Sequence, residues 1–294
     1  IGGLNDDFGK SVAVDGQDNV VAVGEFGSPS ISIGGGTITN QSFQTEIYAV
    51  KFSSGGQHVW SRAYGGFATD FASDVGTDSS GNAFVSSRSG GTVNFGSGIS
   101  IIGSGGTDIA IAKLASANGV TMWARLRGGA SHDSAWALAV DGAGDVLVSG
   151  DGGGDFGNGV NVPNGFFVAK YANSDGGYRW SRTASGGTAY GVTTTSTGNV
   201  IATGSCSGAT DFGGGPIAPG SSKLFLVGYD LSGNYLWSVG FGSSPDRGIA
   251  VAVNSDGSLA LTGQVNSSVN FGGGLSFGGA NNFLATFTAN GLLP

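Results

Sequence analysis

The chain has 294 residues, of which 59 are glycine, only six are proline and 39% are apolar; it can bury a core, and it lacks the period of three that marks collagen. Twelve Lys and Arg against 20 Asp and Glu give a net charge of −8 with no basic cluster, so neither nucleic acid nor an anionic membrane surface is an expected partner. The single cysteine, Cys206, excludes an intrachain disulfide and a cysteine-based zinc site, and no apolar run is long enough to predict a transmembrane segment.

Taken in chain order, the sequence repeats itself. The first unit, residues 1–60, opens on Asp7, carries the apolar run Val12-Ala13-Val14-Asp15, crosses a long segment at Gly27–Gln41 and ends in SSGGQHVW at Trp60. The second, 61–123, opens on Asp70 and ends at Trp123; its strands are expected at Ala72–Asp78, Asn82–Ser87, Asp108–Ala115 and Val120–Arg127. Turns such as Asp78-Ser79-Ser80-Gly81-Asn82 join them, with glycine or asparagine where a positive φ is needed. The third unit, 124–180, opens on Asp133; the fourth, 181–237, has Gly187 and Thr195 where the others carry an acidic pair; the fifth, 238–294, opens on Asp246. The tryptophans Trp60, Trp123, Trp180 and Trp237 are 63, 57 and 57 residues apart. A second marker keeps step with them: Asn94-Phe95-Gly96, Asp155-Phe156-Gly157, Asp211-Phe212-Gly213 and Asn270-Phe271-Gly272, with Ser32-Ile33-Gly34 as a weaker first copy.

Four short strands per unit, repeated five times with no helical periodicity, predict an all-β fold: one β-propeller domain over 1–294, of five blades with four antiparallel strands each. Ile1-Gly2-Gly3 aligns with Tyr64-Gly65-Gly66, and Gly291-Leu292-Leu293-Pro294 with Gly233-Asn234-Tyr235-Leu236. The two ends are therefore expected to share one outer strand and close the ring, although a slice of a longer array would show the same phasing.

The first strand of each unit is small (Gly9/Ala13, Ala72/Gly76, Ala135/Ala139, Ala189/Thr193, Gly248/Ala252), as an innermost strand crowded round an axis requires. Bulky packing is expected from the third strand (Tyr48/Val50/Phe52, Ile109/Ile111, Phe167/Ala169/Tyr171, Phe225/Val227/Tyr229, Leu284/Phe287). The tryptophans on the outermost strand are expected to fill the wedge between neighbouring blades.

With Trp180-Ser181-Arg182, Val12-Ala13-Val14-Asp15, Gly198-Asn199-Val200, Phe167-Val168-Ala169-Lys170-Tyr171 and Asp211-Phe212-Gly213-Gly214-Gly215 in this order of motifs, the chain resembles the bacterial SBBP-type β-propeller repeats of large secreted and cell-surface proteins. The resemblance spans essentially the whole chain. It implies a propeller, an extracellular or bacterial cell-surface location and a binding or scaffolding role, and it implies no catalytic residue.

Residues that recur in every unit read as frame. Asp7, Asp70, Asp133 and Asp246 are expected to accept backbone N–H bonds in the loop entering each first strand; each loop offers too few carboxylates for calcium, Asp6 beside Asp7 being the best exception, and no metal or cofactor is expected. Only His58 and His132 are available for a nucleophile triad, and neither belongs to the repeated frame, so no catalytic residue is assigned. Function then belongs to positions that vary while the frame holds. One set ends the second strand: Glu25, Arg88, Asp151, Ser205 and Gln264. The other lies three residues after the acid: Lys10, Ser73, Trp136, Tyr190 and Ile249. Trp136, Tyr190, Glu25, Arg88, Asp151 and Gln264 are the candidate ligand-binding residues, facing a channel mouth or rim where a protein or glycan would bind; the alternative is that they plug the channel. Adhesion, display or protein binding is the expected role, a lectin the alternative.

Overall fold

The computed structural model describes residues 2–291 apart from 43, 208–209, 218–222, 243–244, 267, 273–274, 278 and 280, and among these residues there is no helix. The fold is a β-propeller of five antiparallel blades in a ring. Blade one pairs Asp7–Val14, Val20–Phe26, Glu46–Phe52 and His58–Tyr64. Blade two pairs Asp70–Thr77, Ala83–Asn94, Ser100–Leu114 and Thr121–Arg127; blade three, Ser134–Val140, Val146–Asp155, Asn161–Tyr171 and Tyr178–Ser185; blade four, Gly187–Thr194, Val200–Cys206, Lys223–Tyr229 and Tyr235–Phe241. Blade five has three strands among the described residues, Arg247–Val253, Leu259–Val265 and Asn281–Phe287. The shared closing strand rests on Ile1 and Leu292–Pro294, which lie outside the described residues. Each first strand packs against the first strand of the following blade from blade one through blade five.

The second acid of each pair shapes the first hairpin. Asp15, Asp78 and Asp141 each accept N–H bonds from residues two and four positions on, at 2.9–3.0 Å, and the Thr195 hydroxyl accepts the Asn199 N–H in blade four. The same acids hold buried lysines of the third strand: Lys51–Asp15 at 2.8 Å, Lys113–Asp78 at 2.9 Å and Lys170–Asp141 at 2.6 Å. Burial alone would raise the Asp15 pKa, but the Lys51 ammonium, Asn19 and two backbone N–H groups outweigh it and hold the group below the ordinary carboxylate range. Blade four loses both partners together. Opposite Trp237, where the earlier blades have lysine, stands Gly228, and a Cβ there would lie 2.7 Å from the Trp237 ring.

The second and third strands of blade two run well past the expected Asn82–Ser87 and Asp108–Ala115, because they continue into the hairpin that carries the Asn94-Phe95-Gly96 marker. In blades one and five that hairpin is a separate ribbon, Ser30–Ser32 with Thr37–Thr39 and Val269–Gly272 with Leu275–Phe277. At the head of the marker turn, Asn94, Asp155, Asp211 and Asn270 each accept the N–H of the glycine two residues on at 2.7–2.8 Å. A neutral amide oxygen does this as well as a carboxylate, which accounts for the exchange of Asn and Asp. The marker aromatic is a wedge. Phe212 lies 4.8 Å from Phe166 of blade three and 4.6 Å from Phe225 of its own blade.

The tryptophans close the outer rim. A Cβ added to Gly119, Gly176, Gly233 or Gly291 would stand 2.4–2.8 Å from Trp60, Trp123, Trp180 or Trp237 of the preceding blade, so each indole lies on the next blade's third hairpin turn. The Trp60, Trp123 and Trp180 N–H groups donate to the carbonyls of Ser116, Asn173 and Leu231. One expected core residue is displaced: Leu284 is exposed while Phe287 is buried. Phe283 and Phe287 pack with Leu224 and Leu226 of blade four, and Leu284 occupies the opposite face of the strand.

Candidate functional site

Every first strand carries one β-bulge, and it falls at the variable position. The register with the second strand slips between Gly9 and Ser11, Ala72 and Asp74, Ala135 and Ala137, Ala189 and Gly191, and Gly248 and Ala250. Lys10, Ser73, Trp136, Tyr190 and Ile249 are therefore the unpaired residues, and a bulge re-aims its side chain out of the strand's alternation. The kink brings the carbonyl of the first strand close over the second. A Cβ on Gly150 or Gly204 would lie 1.9 Å from the Ser134 or Thr188 oxygen, so glycine is required there.

The second variable set stands directly across the ladder, one step nearer the rim: Phe8 opposite Glu25, Phe71 opposite Arg88, Ser134 opposite Asp151, Thr188 opposite Ser205 and Arg247 opposite Gln264. The two sets meet. The Arg88 guanidinium lies 5.0 Å from the Phe71 ring centre and 5.0 Å from that of Trp136. Trp136 donates its indole N–H to Asp151 Oδ1 at 2.6 Å and meets Tyr190 edge-on, with ring centres 5.6 Å apart. Arg247 lies 5.9 Å from the Tyr190 ring and donates Nε and Nη2 to Gln264 Oε1, at 3.0 and 2.5 Å. Trp136, Tyr190, Arg88, Asp151 and Gln264 thus share one continuous row across blades two to five. Glu25 is not joined to it by any described contact; it is held by Lys10 at 3.0 Å in blade one.

Phe71 and Arg247 belong to this row and were not among the expected residues. Both occupy the position immediately after the acid, where Phe8, Ser134 and Thr188 stand in the other blades. That position varies as much as the two sets singled out, and comparing it across units would have exposed it.

Tyr190, Ser205, Arg247 and Gln264, with Pro245 and Asn266, line a concavity of about 360 Å³ at blades four and five. Beneath the row lie the loop acids in their capping role. Asp7, Asp70 and Asp133 accept the N–H of Gly3, Gly66 and Gly129 at 2.7–3.0 Å, and Asp246 accepts that of Asn266 at 2.6 Å. Burial pushes Asp70 up to about 7 against the hydrogen bonds that favour its charged form, and burial likewise raises Asp133. His132 Nδ1 accepts the Thr107 N–H and so serves the loop into blade three. Among the described residues no group of three or more His, Cys, Asp or Glu side chains is placed to hold a metal ion. What the row offers is aromatic surface, two guanidinium groups, the Asp151 carboxylate held by Trp136 and amide hydrogen-bonding groups.

The fold class is that of five-bladed β-propellers. No family model and no curated protein matches the chain. In structure it is similar to a crystallised protein of unknown function from Bacteroides caccae, with a TM-score of 0.50 and 13% identity over 99% of this chain and 81% of that one, a likeness of fold alone.

Proposed function

We propose that this chain is a non-enzymatic, extracellular β-propeller that binds a ligand through the rim formed by its bulged first strands. One observation carries the reading: the positions that differ between blades converge into a single row of large aromatic and polar side chains, Arg88–Trp136–Tyr190–Arg247–Gln264, on a frame that is otherwise repeated. A plug would be buried; Trp136 is 40% exposed. The resemblance to SBBP-type repeats supports the bacterial cell-surface setting. A carbohydrate ligand is favoured over a protein by the concavity at Tyr190, which is small, polar and walled by one aromatic ring. The test is a glycan array probed with the wild-type chain and with Trp136→Ala and Tyr190→Ala. Binding that both variants lose while remaining folded supports the reading; binding that both retain overturns the site.

A further inference from the structure

Basic side chains are scarce here, and nearly all of them have a task in the frame. Lys51, Lys113 and Lys170 are buried on hairpin acids, Lys10 holds Glu25, and Lys223 donates to the Gly242 carbonyl. Arg62 and Arg125 donate to carbonyls of Asn118 and Asp175 in the following blade, Arg179 lies 3.6 Å from Asp145, and Arg127 and Arg182 cover Tyr171 and Trp180. Two remain, Arg88 and Arg247, and both stand in the variable row. Among the described residues neither has a carboxylate within 4.0 Å, in a chain whose net charge is −8. Both lie over aromatic rings, at 5.0 Å from Phe71 and Trp136 for Arg88 and 5.9 Å from Tyr190 for Arg247, a contact with the ring face that uses no N–H donor. Gln264 takes only Nε and Nη2 of Arg247, and Nη1 has no described partner.

We infer that the ligand of this rim is an acidic saccharide, whose carboxylate is taken by Arg247, with Arg88 as the second cationic point, while Tyr190 supports the sugar ring. This rests on the proposed binding rim. A planar carboxylate matches the guanidinium fork, and the bond is charge-assisted. The amides of Gln264 and Asn266 in the same concavity suit sugar hydroxyls.

The experiment is an array carrying uronic-acid, sialylated, sulfated and neutral glycans, followed by titration of the best uronic or sialylated glycan and of its carboxyl-methyl ester. The free acid is expected to bind at least about tenfold tighter than the ester, and Arg247→Gln and Arg88→Gln are each expected to lower its affinity by about tenfold with the melting temperature unchanged. Equal affinity for acid and ester, binding confined to sulfated glycans, or undiminished binding by both arginine variants overturns the inference. Neutral glycans bound alone, and lost in Trp136→Ala, overturn it while leaving the rim reading intact. No glycan bound at all overturns both this inference and the carbohydrate reading.

Discussion

Four interfaces join successive blades, and the same frame continues onto the outward faces of blades one and five, where it is buried differently. Val75, Leu138, Val192 and Val251, at equivalent places on first strands two to five, are 5–8% exposed; their counterpart in blade one, Val12, is 64% exposed. On the facing side, Ala49, Ile111, Val168 and Leu226 are fully buried or nearly so, and their counterpart in blade five, Leu284, is 71% exposed. The outer rim repeats the contrast. Four hairpin glycines carry a tryptophan of the blade before, whereas among the described residues Gly56 in blade one has no atom near the place its Cβ would take. The difference teaches that the repeat motif specifies a surface, and that the neighbour across it decides whether that surface becomes core.

The lysine–acid pairs divide the blades differently, present in blades one to three and absent in four. Replacing Lys113 with Met is expected to cost about 3–5 kcal/mol by leaving Asp78 buried and unpaired, and adding Asp78→Asn is expected to restore most of it, since blade four stands without either partner. Urea unfolding of the single and double variants checks this, and an unrescued double variant breaks the account. Next, Leu226→Ala is expected to cost about 2–5 kcal/mol and Leu284→Ala less than about 0.5 kcal/mol. Equal losses would mean that the outward face of blade five is as tightly packed as the interior. Gly119→Ala and Gly56→Ala carry the same penalty for a left-handed backbone, so the excess cost of the first, expected at about 1–3 kcal/mol, isolates the tryptophan contact.

The remaining effect concerns pH. Asp70 lies buried between blades one and two with its pKa pushed up to about 7, above its unfolded value. The folded chain therefore holds that proton more tightly than the unfolded one. The resulting stability is fully present below about pH 4 and is lost as pH rises from there through about 7. Asp70→Asn is expected to reduce the stability difference between pH 5 and pH 8 by about 2–3 kcal/mol, read from unfolding curves at the two values. An unchanged difference would show that the interface keeps Asp70 charged.

Much of the frame was legible beforehand because it is periodic. The Asp7-type caps, the marker turns and the tryptophan wedges each recur at near-constant spacing, and their roles follow from local hydrogen bonding and size. The candidate site was legible in part. Trp136, Tyr190, Arg88, Asp151 and Gln264 are departures from the repeat, and their convergence depends on the bulge, which leaves no composition of its own beyond a glycine opposite it in four of the five blades. Phe71 and Arg247 stayed hidden because their position varies without breaking the small-residue pattern. Leu284 was misplaced because strand alternation assigns a face without revealing whether anything stands against it.

By itself the sequence determined the number of blades, their turn chemistry and the positions free to vary, since these depend on spacing and on bonds between residues close in the chain. Only the tertiary structure decided which variable side chains touch, which guanidinium groups lack a carboxylate among the described residues and which repeated surface remains exposed. Those outcomes depend on contacts between residues some 50–60 positions apart, and on solvent access at an outward face, which a repeating sequence encodes identically whether or not a neighbour is there to exclude the water.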